Sequence, residues 1–110
     1  MKKINVVKES RDFQTIIENG QSVRNKNYII YYKKNELSKY RFGLSVGKKI
    51  GNAVVRNKYK RQLRNIIDHH TNMYQKNIDY IIIVRKNCLN ESYSELEESL
   101  VQLMNKINSK

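Results

Sequence analysis

Apolar positions change period along this chain, and each change marks an element. Phe13, Ile16 and Ile17 recur at i, i+3 and i+4, the spacing of one helix face. Ser10 stands where an N-cap belongs, and Gly20 where a left-handed C-terminal stop belongs. Tyr28 to Tyr32 is a run of β-formers, and Tyr40, Phe42, Leu44 and Val46 alternate with Arg41, Gly43 and Ser45 at period two. These predict two strands joined by the polar stretch Lys33 to Lys39, an antiparallel pair. A short extra strand over Gln21 to Arg24 is compatible with the pattern but not required by it.

Asn52 caps the next predicted helix, whose apolar side is Val55, Tyr59, Leu63 and Ile66. Asn72 to Lys76 reads as loop or frayed helix end. Tyr80 to Val84 is a continuous apolar run, as in a strand buried on both faces, and belongs in the middle of the sheet. Ser92-x-x-Glu95 and Ser94-x-x-Glu97 are alternative capping boxes for a last helix with Leu96, Leu100, Leu103 and Ile107 on its core side. The order α, β, β, α, β, α describes one α+β domain over residues 1–110, without proline, linker, repeat or low-complexity tract.

Charge changes this picture. The 110 residues carry 22 Lys plus Arg against 10 Asp plus Glu, a formal net charge of +12, enough to drive association with a polyanion through counterion release. From Leu37 to Ile67 there are nine basic residues and no acid, whereas four acids crowd into Glu91 to Glu98. The positive field is focused on the middle of the chain. No apolar run reaches the roughly 18 to 20 residues that span a bilayer, and the start Met1-Lys2-Lys3-Ile4-Asn5 lacks a signal peptide's apolar stretch. A cytoplasmic protein with no membrane partner is expected. The single Cys88 fits a reducing compartment and reads as a small, partly buried thiol.

The predicted second helix carries the candidate binding chemistry. At about 100° per residue, Arg56, Asn57, Lys60, Arg61 and Arg64 share an arc of roughly 140°. Arg56, Lys60 and Arg64 stack like charges at i, i+4, which repels where a solvated helix would alternate signs. An anionic partner relieves that repulsion, and the span from Arg56 to Arg64, about 12 Å, can follow several phosphates. Ser45, Lys48 and Lys49 lead into the helix N-terminus, itself a ready anion site. Gly43-x-x-x-Gly47-Lys48-Lys49 is one residue short of a phosphate-binding nucleotide loop and ends in Lys where Ser or Thr should hold magnesium, which excludes an ATPase or GTPase reading. Phe13, Ile17, Ile29 and Tyr31 either pack as plain core or, if the first helix runs along the sheet's edge, line a groove whose rings stack on unpaired bases. Periodicity by itself favours packing.

The run Gly-Leu-Ser-Val-Gly-Lys-Lys-Ile-Gly-Asn-Ala-Val-Val-Arg-Asn-Lys-Tyr-Lys-Arg-Gln-Leu-Arg, residues 43 to 64, resembles the signature of the protein subunit of bacterial ribonuclease P. Ser10-Arg11-Asp12-Phe13-Gln14 followed by Gly20, the Tyr28 to Tyr32 strand, the Asp79 to Arg85 strand and the acid-capped last helix resemble that family in order. The resemblance implies an α+β sandwich of three helices around a four-stranded sheet, with a left-handed βαβ crossover that the general rule for parallel crossovers would not predict. It implies a large RNA subunit that holds the catalytic centre and its Mg2+, precursor tRNA as substrate, and a protein that is monomeric without RNA. It assigns RNA contact to Ser45, Lys48, Lys49, Arg56, Asn57, Lys58, Lys60, Arg61 and Arg64, and places Phe13 and Tyr31 in a cleft for the single-stranded 5′ leader, with Ile17 and Ile29 beside them. Two positions depart from the pattern. Ile17 stands where the family often has a second Phe, and Arg56-Asn57-Lys58 stands for Arg-Asn-Arg, keeping the charge but losing guanidinium's fork.

No catalytic or metal-binding constellation of the protein's own is expected. His69 and His70 are adjacent, so on a helix they point about 100° apart and read as a helix-end pair beside Asp68. The rival function is a ribosomal or ribosome-assembly protein, which charge and size suit equally; a metal-dependent nuclease would need clustered carboxylates.

Overall fold

The computed structural model describes residues 5–7 and 9–110; the segment 1–4, part of the start inspected for a targeting signal, lies outside them. The elements are α1 (Ser10–Asn19), β1 (Gln21–Arg24), β2 (Tyr28–Lys34), β3 (Arg41–Val46), α2 (Ala53–Asp68), β4 (Ile78–Val84) and α3 (Tyr93–Asn108), with 3₁₀ turns over Thr71–Met73 and Lys86–Asn90. The optional strand over Gln21 to Arg24 is present. The sheet runs β1-β2-β4-β3, antiparallel except for the parallel β3/β4 pair.

β2 and β3 therefore run in opposite directions but do not pair, because β4 lies between them. The reason lies in β4 itself: a strand so uniformly apolar is stable where both its edges and both its faces are covered. Only Ile83 in it is less than fully buried. The crossover that makes β3 and β4 parallel is the basic helix α2.

The period-two pattern sorts the strands onto two faces. Tyr28, Ile30 and Tyr32 of β2, Phe42 and Val46 of β3, and Tyr80, Ile82 and Val84 of β4 pack beneath Leu63, Ile66 and Ile67 of α2 and Leu96, Leu100, Leu103, Met104 and Ile107 of α3. Within this core the Phe42 and Tyr80 rings stack at 4.9 Å, and the Tyr74 hydroxyl donates to the Ile67 carbonyl at 2.7 Å. Tyr28 donates to the Leu96 carbonyl at 3.0 Å, and burial pushes its phenol well above the ordinary range. Cys88 is fully buried here, its thiol pushed up by desolvation.

The other face carries α1. Ile16 and Ile81 are buried together with Val7, and Phe13, Ile17, Tyr31 and Ile83 pack around them half-buried. α1 thus lies across the sheet's face and not along its edge, which corrects the placement on which the groove was first argued. Its start is fixed by charge. Arg41 donates through Nε and Nη2 to both oxygens of Asp79 at 2.8 and 2.6 Å, Asn35 Nδ2 donates to Asp79 at 2.7 Å, and Asp12 of α1 lies 3.7 Å from Arg41. The bidentate bond to Asp79 raises the guanidinium pKa further above its ordinary value.

Two termini differ from the sequence pattern. The N-cap of α1 is Glu9, without a side-chain cap bond, and Ser10 is the first helical residue. Gly20 is extended, with φ −86° and ψ 174°, and is required for space: a Cβ would sit 2.5 Å from the Ile16 carbonyl oxygen and 2.7 Å from that of Tyr32. The other caps follow the pattern. Asn52 Oδ1 accepts from the Val55 N–H at 3.1 Å, and Ser92 with Glu95 forms the complete capping box.

Ser92→Ala removes that cap and should lower stability by about 0.5 to 2 kcal/mol in urea unfolding. Glu95's carboxyl is held below its usual range by the hydrogen bond from the Ser92 backbone N–H. A depressed folded-state value stabilises above the unfolded value and fades below it. The destabilisation by Glu95→Gln should therefore be seen at neutral pH and vanish as pH falls through the carboxylate range.

Candidate nucleic-acid interface

The exposed half of the α1 face is built by strand register. Across the sheet, Ser22, Tyr31, Ile81 and Gly43 form one row, and Arg24, Ile29, Ile83 and Ser45 the next. α1 covers the first row at Ile81, which is fully buried, and leaves the second open, where Ile29, Ile83 and Ser45 are half-exposed. Phe13, Ile17, Ile29 and Tyr31 are brought together as half-buried walls and floor. They are neither plain core nor free surface. Ile83 belongs with them and was missed, because only the register that sets it between Ile29 and Ser45 shows that β4 has an open side.

Gly43 sets how deep the cleft is. A Cβ there would meet the tip of the Phe13 ring at 2.5 Å and Ile81 Cδ1 at 2.7 Å, so the ring lies directly on the β3 backbone. Since the atoms in the way end movable side chains, a methyl at this position would displace the ring and leave the sheet intact.

The open row ends where the cations begin. β3 runs out at Val46, level with Val84 of β4, and Gly47, Lys48 and Lys49 continue from it, all exposed. Arg85 follows β4 at the same end, its Nη1 donating to the Asn25 carbonyl at 2.9 Å. Ser45 therefore sits on the cleft side of β3, and the two lysines link that side to the start of α2. At Gly51 φ is +158° and a Cβ would lie 3.0 Å from Val55, so glycine is needed at this turn into the helix.

On α2 the faces are shifted from the predicted ones. Ile67 is buried as well as Leu63 and Ile66, which extends the core arc beneath Arg56 and Lys60; both are half-buried, whereas Asn57, Lys58, Arg61 and Arg64 face outward. The Arg56 Nε is buried without a hydrogen-bond partner among the described residues. Lys58 Nζ lies 5.8 Å from the centre of the Tyr59 ring, a cation–π contact that steadies its stem. Carboxylates elsewhere in the fold are engaged away from the exposed cations of α2: Arg11 pairs with Glu9, Lys26 with Glu91, and Arg41 with Asp12 and Asp79, while His69 and His70 lie against Glu97.

The two histidines lie at the helix end, as expected, but their rings converge. α2 stops at Asp68, and His69 Nδ1 and His70 Nε2 both approach Glu97 Oε2, at 3.4 and 3.0 Å. They fasten α2 to α3. Among the described residues no three His, Cys, Asp or Glu side chains are placed to hold a metal ion, and no helix is long and apolar enough to cross a membrane.

A half-open aromatic cleft thus leads into a basic helix. The family model described as Ribonuclease P matches residues 1–108. The chain belongs to the ribonuclease P protein family. The "Ribonuclease P protein component" of Mycoplasma mycoides is 46% identical over 108 residues, 97% of this chain and 99% of that protein. Its Streptococcus pneumoniae counterpart is 38% identical over 94% of this chain and 85% of that one. The solved Staphylococcus aureus RNase P protein superposes with a TM-score of 0.87 at 34% identity, over 94% of each chain. That of Thermotoga maritima gives 0.83 at 29% identity, over 91% of this chain and 94% of that one. The three helices and four-stranded mixed sheet are thus the architecture of RNase P proteins.

The uneven burial along α2 separates two kinds of arginine. Arg61→Ala and Arg64→Ala should each weaken RNA binding and flatten the slope of log K against log salt by about 0.7 to 0.9 for every phosphate no longer neutralised. Their stability should stay within about 0.5 kcal/mol of wild type. Arg56→Ala should weaken binding and lower stability together, because its stem packs over the core. Salt-series binding curves paired with thermal melts separate the two effects.

Proposed function

We propose that this chain is the protein subunit that binds ribonuclease P RNA and holds the 5′ leader of precursor tRNA during endonucleolytic maturation, in the cytoplasm. The observation that carries this reading is the half-open face of Phe13, Ile17, Tyr31, Ile29 and Ile83, joined through Ser45, Lys48 and Lys49 to α2. Unpaired bases stack on the rings of the cleft, while Arg56, Asn57, Lys58, Lys60, Arg61 and Arg64 meet phosphates of the RNA subunit. The role of these cations is electrostatic: two polyanions have to approach, and fixed positive charge between them screens their repulsion. In this reading Mg2+ supplies hydrolytic chemistry within the RNA partner, and the protein's own side chains bind and orient.

A ribosome-assembly protein would need the phosphate-binding helix but not a cleft for unpaired bases, and the cleft is what favours the leader-binding reading. The test compares precursor and mature tRNA. Phe13→Ala and Tyr31→Ala should weaken binding of leader-bearing tRNA to the RNA-containing holoenzyme by about 1 to 3 kcal/mol for each base that no longer stacks. Leaderless tRNA should bind almost as before. Ile17→Phe should strengthen leader binding by adding an aromatic wall. Equal losses for both substrates would return these rings to a packing role.

Gly43→Ala offers an independent check on the same cleft. It should cost about 1 to 3 kcal/mol of stability without unfolding the protein, and reduce leader-dependent affinity, because the methyl lifts the Phe13 ring. Combining it with Phe13→Ala should add little further loss, since both changes act on one ring.

A further inference from the structure

We propose that the path for single-stranded RNA continues out of the cleft onto the edge strand β1, where Arg24 takes a phosphate of the distal leader. This rests on the leader-binding reading above and extends it by a residue on a strand outside the cleft. Directly paired residues share a face, so Ser22 lies beside Tyr31 and Arg24 beside Ile29, on the open side of the sheet. Val23 between them is buried on the other side. α1 joins this strand through Gly20 at Gln21, and Arg24 at the strand's other end is exposed.

Its position is firm although its side chain is uncommitted. Asn25 Oδ1 accepts from the backbone N–H groups of Asn27 and Tyr28, both at 3.0 Å, and Asn25 Nδ2 donates to the Ser99 carbonyl of α3 at 3.0 Å. The turn that follows Arg24 is thereby fixed to the body of the protein. The neighbouring Lys26 is neutralised by Glu91 at 3.2 Å, whereas Arg24 has no carboxylate partner among the described residues. A cation held at the end of an apolar, half-aromatic floor, with its charge unmatched, suits a nucleic-acid phosphate and disfavours a neutral or cationic occupant.

The geometry sets a length threshold. From Ser45 on β3 to Arg24 on β1 is three strand spacings, about 14 Å. RNA crossing the strands from the basic-helix side reaches Arg24 only after covering that distance, so short leaders should not sense this residue.

The experiment measures affinity of the reconstituted holoenzyme for precursor tRNAs with a graded series of leaders, from none to one that outreaches the sheet. In wild type, affinity should rise with leader length. Arg24→Ala should abolish the last part of that rise, a loss of about three- to tenfold for the longest leader only, and lower the salt slope for that substrate by about 0.7. Arg24→Lys should recover most of it and Arg24→Glu should deepen it. A normal rise that Arg24→Ala leaves untouched, or an equal loss for leaderless tRNA, overturns this inference and spares the cleft. Affinity that does not depend on leader length in wild type overturns both.

Discussion

Everything that makes this sheet a binding surface depends on how α1 is seated. The helix crosses one face over Ile81 and leaves Ile83 half-exposed beside it, so half of an apolar face is covered and half is left open. Two contacts set that position. The Phe13 ring rests on the bare backbone of Gly43, and Asp12 reaches the Arg41 guanidinium that Asp79 grips with both oxygens. Asp79 is 5% exposed, and a buried carboxylate is tolerable only with such partners. The pair secures one end of α1 while leaving the far half of the face open.

The distribution of acids has the same consequence for charge. Asp12 and Asp79 are engaged by Arg41, Glu91 by Lys26, and Glu97 by the two histidines. Within α2 the acid is Asp68, at the helix's last residue, so the repulsion between Arg56 and Lys60 is not relieved from within the helix. The Nε of Arg56, buried and without a hydrogen-bond partner among the described residues, lies on the same surface. A helix built this way is stabilised from beneath, by Leu63, Ile66 and Ile67, and from outside by whatever anion it meets.

What was legible in the sequence was local. Helix periodicity, the Asn52 and Ser92 caps and the central position of Tyr80 to Val84 follow from side-chain pattern alone, and all appear in the structure. Pairing was not legible, because a period-two pattern gives a strand its faces but not its neighbours; β2 and β3 proved to be separated by β4. The cleft suffered from the same gap. Phe13, Ile17, Ile29 and Tyr31 could be named, but Ile83 could not, since its exposure arises from where α1 crosses a strand that reads as wholly buried. Gly20 and Gly43 look like ordinary glycines in sequence, and only their surroundings show that a side chain would strike backbone carbonyls at Gly20 and displace the Phe13 ring at Gly43.

The central claim is that the open half of the α1 face holds unpaired RNA while the opposite side of the protein does not. Photo-crosslinking from a reactive nucleotide placed at successive positions of the leader, in the assembled holoenzyme, tests this most directly. The account predicts adducts on peptides containing Phe13, Tyr31 and Ile83, shifting toward Lys48 and Lys49 as the nucleotide approaches the cleavage site. Adducts confined to the acidic surface of α3, around Glu95 and Glu98, would contradict it.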